Sequence, residues 1–158
     1  MKRISTVSLL VLALAMSCFA QTSKHASKKS ATPAPDKAHL QKIWDAWATL
    51  DPDNAAKFYV SGPGTFFDIA PLKYGSWEEY DKGAKALLAD YKSATFTVND
   101  DAAIHSHGDL AWVTATVKFA MTQKSGKVGM GNMRWTAIFE DKDGKWSIVH
   151  EHVSVPMQ

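Results

Sequence analysis

Two carboxylates are the first candidates for chemistry. Asp68 lies among Phe66, Phe67 and Ile69 in a short apolar run, Thr65 to Ile69. A carboxylate walled by aromatic rings is costly to ionise, so its pKa rises and it becomes a general base near neutral pH. Glu151 alternates with Val149 and Val153, which puts it on an apolar strand face. Lys118 is expected on that same face two strands away, where a buried carboxylate and a buried amine titrate as a pair or grip a polar ligand. Trp112 and Trp135 are expected beside them, as flat walls on which a planar ligand stacks. His105-x-His107 and His150-x-His152 have the alternate spacing at which strand residues chelate a metal together. Each pair supplies only two ligands, and the expected pairing sets His150 level with Ala115, roughly 26 Å along the strand from His107. No metal site and no organic cofactor is expected.

The elements that must hold these residues follow from periodicity. Leu40, Ile43, Trp44, Trp47 and Leu50 mark one face of a helix that Asp51-Pro52-Asp53 ends. Asp53 is expected to cap a short second helix through Ala55, Ala56 and Phe58. Gly62-Pro63-Gly64 reads as a turn before the strand Thr65 to Ile69. Ser76 with Glu79 three residues on is a capping-box signature for a third helix through Tyr80, Ala84, Leu87, Leu88 and Tyr91. The rest reads as strand: Thr95 to Ile104, Asp109 to Gln123, Val128 to Asp141 and Lys145 to Val155. Ser125-Gly126-Lys127 and Lys142-Asp143-Gly144 are the hairpin turns. Helices first and an antiparallel meander last describe an α+β domain.

Pairing the last strands about those turns sets Val117 opposite Arg134 and His152, and Thr116 opposite Trp135 and Glu151. Residues directly opposite share a face. A pocket face is then expected to carry Trp112, Thr114, Thr116 and Lys118 with Met133, Trp135, Ala137, Phe139, Val149, Glu151 and Val153. The other is expected to carry Ala111, Val113, Ala115, Val117 and Phe119 with Arg134, Thr136, Ile138, Trp146, Ile148, His150 and His152. A slip of one residue exchanges the two. Both faces are too apolar for water and the helices can cover only one, so the second is expected to meet another copy of the chain.

Length and charge bound the rest. The chain has 158 residues, enough for one domain. From residue 37 onward 13 Lys and Arg face 15 Asp and Glu, a net of −2, which excludes the basic field that nucleic acids require. Cys18 is the single cysteine, so no internal disulfide framework can form. Lys2-Arg3, the apolar stretch Val7 to Met16, and Cys18-Phe19-Ala20 read as a secretory signal over residues 1–20, cleaved after Ala20. Residues 21–36, rich in Lys, Ser, Ala and Pro, read as a disordered tether. The mature protein is expected to be secreted or periplasmic and to leave the membrane once the signal is removed. Residues 37–158 form the folded domain.

Arg134-Trp135-Thr136, Gly75 before the third helix, and the run Asp143-Gly144-Lys145-Trp146-Ser147-Ile148-Val149-His150-Glu151-His152-Val153-Ser154-Val155-Pro156 resemble the SnoaL-like branch of the nuclear transport factor 2-like superfamily. The last run also resembles the end of the association domain of calcium/calmodulin-dependent kinase II. The resemblance implies a cone-shaped α+β barrel, with three N-terminal helices packed on a curved antiparallel sheet and dimers formed through the other sheet face. Against the ketosteroid isomerases of the superfamily, Asp68 matches the general base. Ile43 and Trp135 stand at about the positions of the two hydrogen-bond donors to the enolate oxygen and cannot replace them. Of the basic pocket positions in the kinase association domain, at about Lys118, Ala137 and Val153, only Lys118 keeps its charge.

These readings converge on a homodimer that binds a small apolar or aromatic molecule. Asp68 and Glu151 are the catalytic candidates for proton transfer, of an isomerase or cyclase kind. Trp112, Trp135, Lys118, Met133, Thr116 and Phe139 are the ligand-binding candidates. The alternative from another class is a non-catalytic assembly module.

Overall fold

The computed structural model describes residues 32–157; the expected signal and most of the expected tether lie outside the described residues. Helix α1 spans Lys37–Ala48, and its start is set by Asp36, whose carboxylate accepts the His39 N–H at 2.7 Å. Its apolar face buries Leu40, Ile43, Trp44, Ala46 and Trp47. Leu50 falls just beyond the helix in the left-handed region, φ 61°. Two single 3-10 turns, Pro52–Asn54 and Ala56–Phe58, stand where a second helix was expected. The first is capped by Asp51, which accepts the Asp53 N–H at 3.1 Å, so Asp53 is not the cap. Helix α2, Trp77–Leu88, begins as its signature predicts: Ser76 Oγ accepts the Glu79 N–H and Glu79 reaches back to the Gly75 N–H at 2.7 Å. It buries Tyr80, Ala84 and Leu88, and Tyr91 already begins a strand.

Seven strands form one sheet: β1 Pro63–Phe67, β2 Tyr74–Ser76, β3 Tyr91–Val98, β4 Ala103–His107, β5 Leu110–Gln123, β6 Val128–Lys142 and β7 Lys145–Ser154. The order is β2-β1-β7-β6-β5-β3, with β4 pairing the other half of β5. The sheet is open at its ends instead of closing into a barrel. β1 pairs β7 in parallel, a long-range contact with no local signal, and Phe66 lies beside Glu151 as a result. The single expected strand Thr95 to Ile104 is two strands split by Asn99–Ala102. The outer edge of β3 is closed by a side chain of α1: the Gln41 amide donates to Phe96 O and accepts from Val98 N, both at 2.9 Å. That amide satisfies two ladder groups which would otherwise recruit another strand.

The register differs from the expected one in two places, each with a local cause. The β5–β6 loop is Lys124-Ser125-Gly126, with the Gly126 N–H bonded to Gln123 O and Gly126 at φ 92°, a three-residue loop ending in a left-handed glycine. Ala115 therefore faces Trp135 and Val117 faces Met133, one residue away from expectation. The β6–β7 turn uses Asp143 and Gly144 alone, both at positive φ, and a bulge follows at Val149. Together these move β7 by two residues, so that Ala137 faces Glu151 and Thr136 faces His152.

The corrected faces follow. Ala111, Val113, Ala115 and Val117 turn inward with Met133, Trp135, Ala137, Phe139, Trp146, Ile148, Glu151 and Val153, all buried. Trp112, Thr114, Thr116 and Lys118 turn outward with Arg134, Thr136, Ile138, His150 and His152. Among the described residues no helix is long and apolar enough to cross a membrane.

Candidate functional site

Glu151 is 1 % exposed and sits at the centre of the molecule among aromatic hydroxyl and indole groups. Its Oε2 accepts from the Tyr59 hydroxyl at 2.8 Å and from the Trp135 indole N–H at 2.9 Å. Its Oε1 accepts from the Tyr80 hydroxyl at 2.8 Å. Tyr59 in turn accepts from the Trp47 indole at 2.9 Å. Each donor comes from a different element: Trp47 from α1, Tyr59 from the end of the second 3-10 turn, Tyr80 from α2 and Trp135 from β6. Burial pushes the Glu151 carboxyl up to about 7, although the three donors pull it down; the Asp68 charge adds a smaller upward push. Burial and the Glu151 charge hold the Tyr59 and Tyr80 hydroxyls well above the ordinary tyrosine range.

The rings around this carboxyl are tightly set. Tyr59 stacks on Trp77 with centroids 4.5 Å apart, and Tyr80 stacks on Tyr74 at 5.0 Å and on Phe66 at 5.3 Å. Gly83, one turn of α2 on from Tyr80, makes room for Tyr74: a Cβ there would sit 2.2 Å from the Tyr74 hydroxyl oxygen.

Beside this cluster lies a cavity of about 110 Å³ between the helices and the inner sheet face. Trp44 and Trp47 of α1, Tyr80, Ala84, Leu87 and Leu88 of α2, and Phe96, Phe119, Met121, Met133 and Val153 of the sheet form its wall with Asp68 and Ile69. Alternation explains Asp68: Phe66 turns in, Phe67 turns out against His150 and His152, and Asp68 turns in again. Asp68 is the one charged side chain of this wall. Its Oδ1 accepts the Ile69 N–H at 2.7 Å, and burial, outweighing that bond, pushes its carboxyl above the usual range. Ile69 and Leu87, 58 % and 46 % exposed, mark the mouth. An apolar cavity of roughly 150 Å³ holds benzene, so this one suits a single small ring whose remainder extends through the mouth.

The expected site residues divide accordingly. Asp68 and Met133 line the cavity; Trp135, Phe139 and Glu151 lie inside the core around it, not on its wall. Trp112, Thr116 and Lys118 are on the opposite face, because the β5 register is one residue from the expected one. Trp112 and Trp135 therefore cannot sandwich a ligand, and Lys118 cannot pair with Glu151. Trp112 is 44 % exposed and stacks on His105, with centroids 5.3 Å apart. The aromatic walls of the cavity are Trp44, Trp47, Tyr80, Phe96 and Phe119, the first two belonging to the helix face legible in the sequence. Tyr59 and Tyr80 were missed as partners of Glu151. The signal for Tyr80 was its place on the buried face of a capped helix, where a phenol must find a hydrogen bond.

The histidines also move. His150 is level with Ile138 and Trp112, and His105 pairs with Trp112, so His105 and His150 lie in one row of the outer face, three strands or roughly 14 Å apart. Among the described residues no group of three or more metal-ligating side chains converges. A second, polar depression of about 270 Å³ beside the Val149 bulge is lined by Glu140, Lys142, Asp143 and Lys145 among others, charges of both signs that offset one another.

Residues 37–158 match the SnoaL-like domain family. No curated protein matches the sequence. Among solved structures, a protein from Xanthomonas campestris provisionally assigned as a calcium/calmodulin-dependent protein kinase II association domain is 25 % identical. That match covers 84 % of this chain and 96 % of that one, with a TM-score of 0.66. A nuclear transport factor 2-like superfamily protein from Salmonella enterica is 17 % identical over 77 % of this chain and 92 % of that one, with a TM-score of 0.67. A protein from Novosphingobium aromaticivorans provisionally assigned as a scytalone dehydratase is 12 % identical over 75 % and 79 %, also with a TM-score of 0.67. The last two likenesses establish the fold alone.

Proposed function

Because the chain belongs to the SnoaL-like domain family, within the nuclear transport factor 2-like superfamily, we propose that it binds a small cyclic molecule in the cavity beside Glu151 and moves a proton on it with Asp68. The observation that carries this is Asp68 itself, a lone carboxyl on an otherwise apolar wall, its proton affinity raised by burial. A base in that setting abstracts a proton next to a carbonyl; returning it to a neighbouring position is isomerisation, and the abstraction alone is the first step of a cyclisation or dehydration. Glu151 acts behind the wall, holding Tyr80 in place through its hydroxyl. We place the pairing of two copies on the outer sheet face, where Trp112, Ile138, His150, His152 and Arg134 meet solvent.

Cyclohexanone tests the site without knowledge of the natural ligand. In heavy water the protein should exchange its α-hydrogens for deuterium, followed by proton magnetic resonance. Asp68→Asn should bind the ketone nearly as well yet lose the exchange, since an amide keeps the shape without the basicity. Ala84→Phe, which fills the cavity from α2, should lose both. Equal exchange by the unaltered protein and Asp68→Asn would sink the assignment of the base.

A further inference from the structure

The hydrogen bonds around Glu151 leave only one place for a proton. Oε2 already accepts two, from Tyr59 and Trp135, and Tyr59 is fixed in that direction because its own oxygen accepts from Trp47. Oε1 accepts one, from Tyr80. A proton added to the carboxyl therefore goes to Oε1, and that O–H has the Tyr80 oxygen as its acceptor. Tyr80 then cannot donate to Glu151. Its hydroxyl hydrogen must turn away, and the residue lines the cavity with Asp68. When Glu151 is ionised the opposite holds: Tyr80 spends its hydrogen on Oε1 and offers only lone pairs elsewhere.

We infer that Tyr80 is the specificity-determining residue of this cavity, selecting a ligand oxygen that accepts when Glu151 is protonated and one that donates when Glu151 is ionised. The inference rests on the binding site proposed above and deepens it: the ligand class is a small ring bearing one oxygen, ketone in one state and alcohol in the other. The ionisable groups that face Glu151 are Tyr59 after the second 3-10 turn, Tyr80 on α2 and Asp68 after β1; β6 contributes the neutral indole of Trp135. Because the Glu151 carboxyl is pushed up to about 7, the exchange falls in the neutral range. Asp68 also faces the cavity and also prefers an alcohol once ionised, so it must be separated from Tyr80 by mutation.

Cyclohexanone, which only accepts, and cyclohexanol, which also donates, form a matched pair of probes. Calorimetric titration at about pH 5.5 and about pH 8.5 brackets the Glu151 transition. The ketone-to-alcohol affinity ratio should fall by about fivefold between the two, the worth of one hydrogen bond. Asp68→Asn should keep most of that fall. Tyr80→Phe, which retains the ring stacking, should bind both probes and lose most of the fall, keeping only the smaller part that Asp68 contributes. Glu151→Gln should lock the ratio at its acidic value: the two donors to Oε2 hold the amide oxygen there and turn the amide N–H₂ toward Tyr80. A ratio that does not change with pH in the unaltered protein, with both probes bound, overturns the inference and leaves the binding site standing. A fall that survives Tyr80→Phe and vanishes in Asp68→Asn assigns the selectivity to Asp68 and also overturns it. Failure of both probes to bind overturns the site and the inference together.

Discussion

The inner face of the sheet holds Trp135 at 1 % exposure, its indole N–H given to Glu151, whereas the outer face holds Trp112 at 44 % exposure, stacked on His105. Both are strand tryptophans, Trp112 between Ala111 and Val113 and Trp135 between Arg134 and Thr136, and alternation alone does not tell them apart. The difference lies in what their polar ends meet. Inside, the hydroxyls of Tyr59 and Tyr80 and the indoles of Trp47 and Trp135 form one network that needs a charge or proton at its centre. Outside, rings and imidazoles sit side by side with solvent access, which suits a surface that another protein copy covers.

Truncation of the two tryptophans gives the widest contrast. Trp135→Ala should cost about 3–5 kcal/mol, because it opens a hole against Trp44 and strips a donor from a buried carboxyl. Trp112→Ala should cost less than about 1 kcal/mol. Urea unfolding of both variants measures this, and similar losses would break the distinction between the faces.

Titration of Glu151 comes next. The folded protein holds this proton more tightly than the unfolded chain, whose glutamate titrates near 4.5. Its contribution is therefore most favourable below that value, shrinks as pH rises from 4.5 towards 7, and is constant above. Over that window it should lower stability by up to about 3 kcal/mol relative to Glu151→Gln, which carries no proton to lose. Denaturant midpoints of the two proteins across that window give the difference. A difference that grows with acidity instead would mean that the donors outweigh burial.

The outer face should respond in association and hardly in stability. Ile138→Glu places a charge at the centre of its row, beside Trp112 and His150. It should shift a dimer to monomer in light scattering while changing the unfolding free energy by about 0.5 kcal/mol or less. Ile148→Glu is the matching inner substitution: Ile148 is fully buried opposite Phe139, so an uncompensated charge there should unfold the domain. An unfolded Ile138→Glu beside a soluble, monomeric Ile148→Glu would show that the faces are assigned the wrong way round.

The smallest effect should come from His105→Ala. It removes the partner of the exposed Trp112 stack, for a loss of about 0.5 kcal/mol by the same unfolding measurement. A loss comparable with that of Trp135→Ala would make the outer stack part of the core.

The local sequence determined the class of fold, the start of α2 and the alternation within each strand, because capping pairs and periods of 3.6 and 2 are written in neighbouring residues. It also marked Asp68 and Glu151 as carboxylates in apolar surroundings. Only the tertiary structure decided which face of β5 meets the core, since that turns on the loop closing over Lys124-Ser125-Gly126, which sets Val117 against Met133 instead of Arg134. For β7 two local departures, the tight Asp143-Gly144 turn and the Val149 bulge, add to an even shift, so Glu151 and Val153 face inward as alternation suggested while Trp146 and Ile148 exchange sides. The parallel pairing of β1 with β7, and the meeting of Tyr59, Tyr80 and Trp135 on one carboxyl, join residues up to 92 positions apart. A period of two repeats itself under any even slip, and no neighbouring residue records which distant donor a buried carboxylate will find; closure of the whole chain settles both.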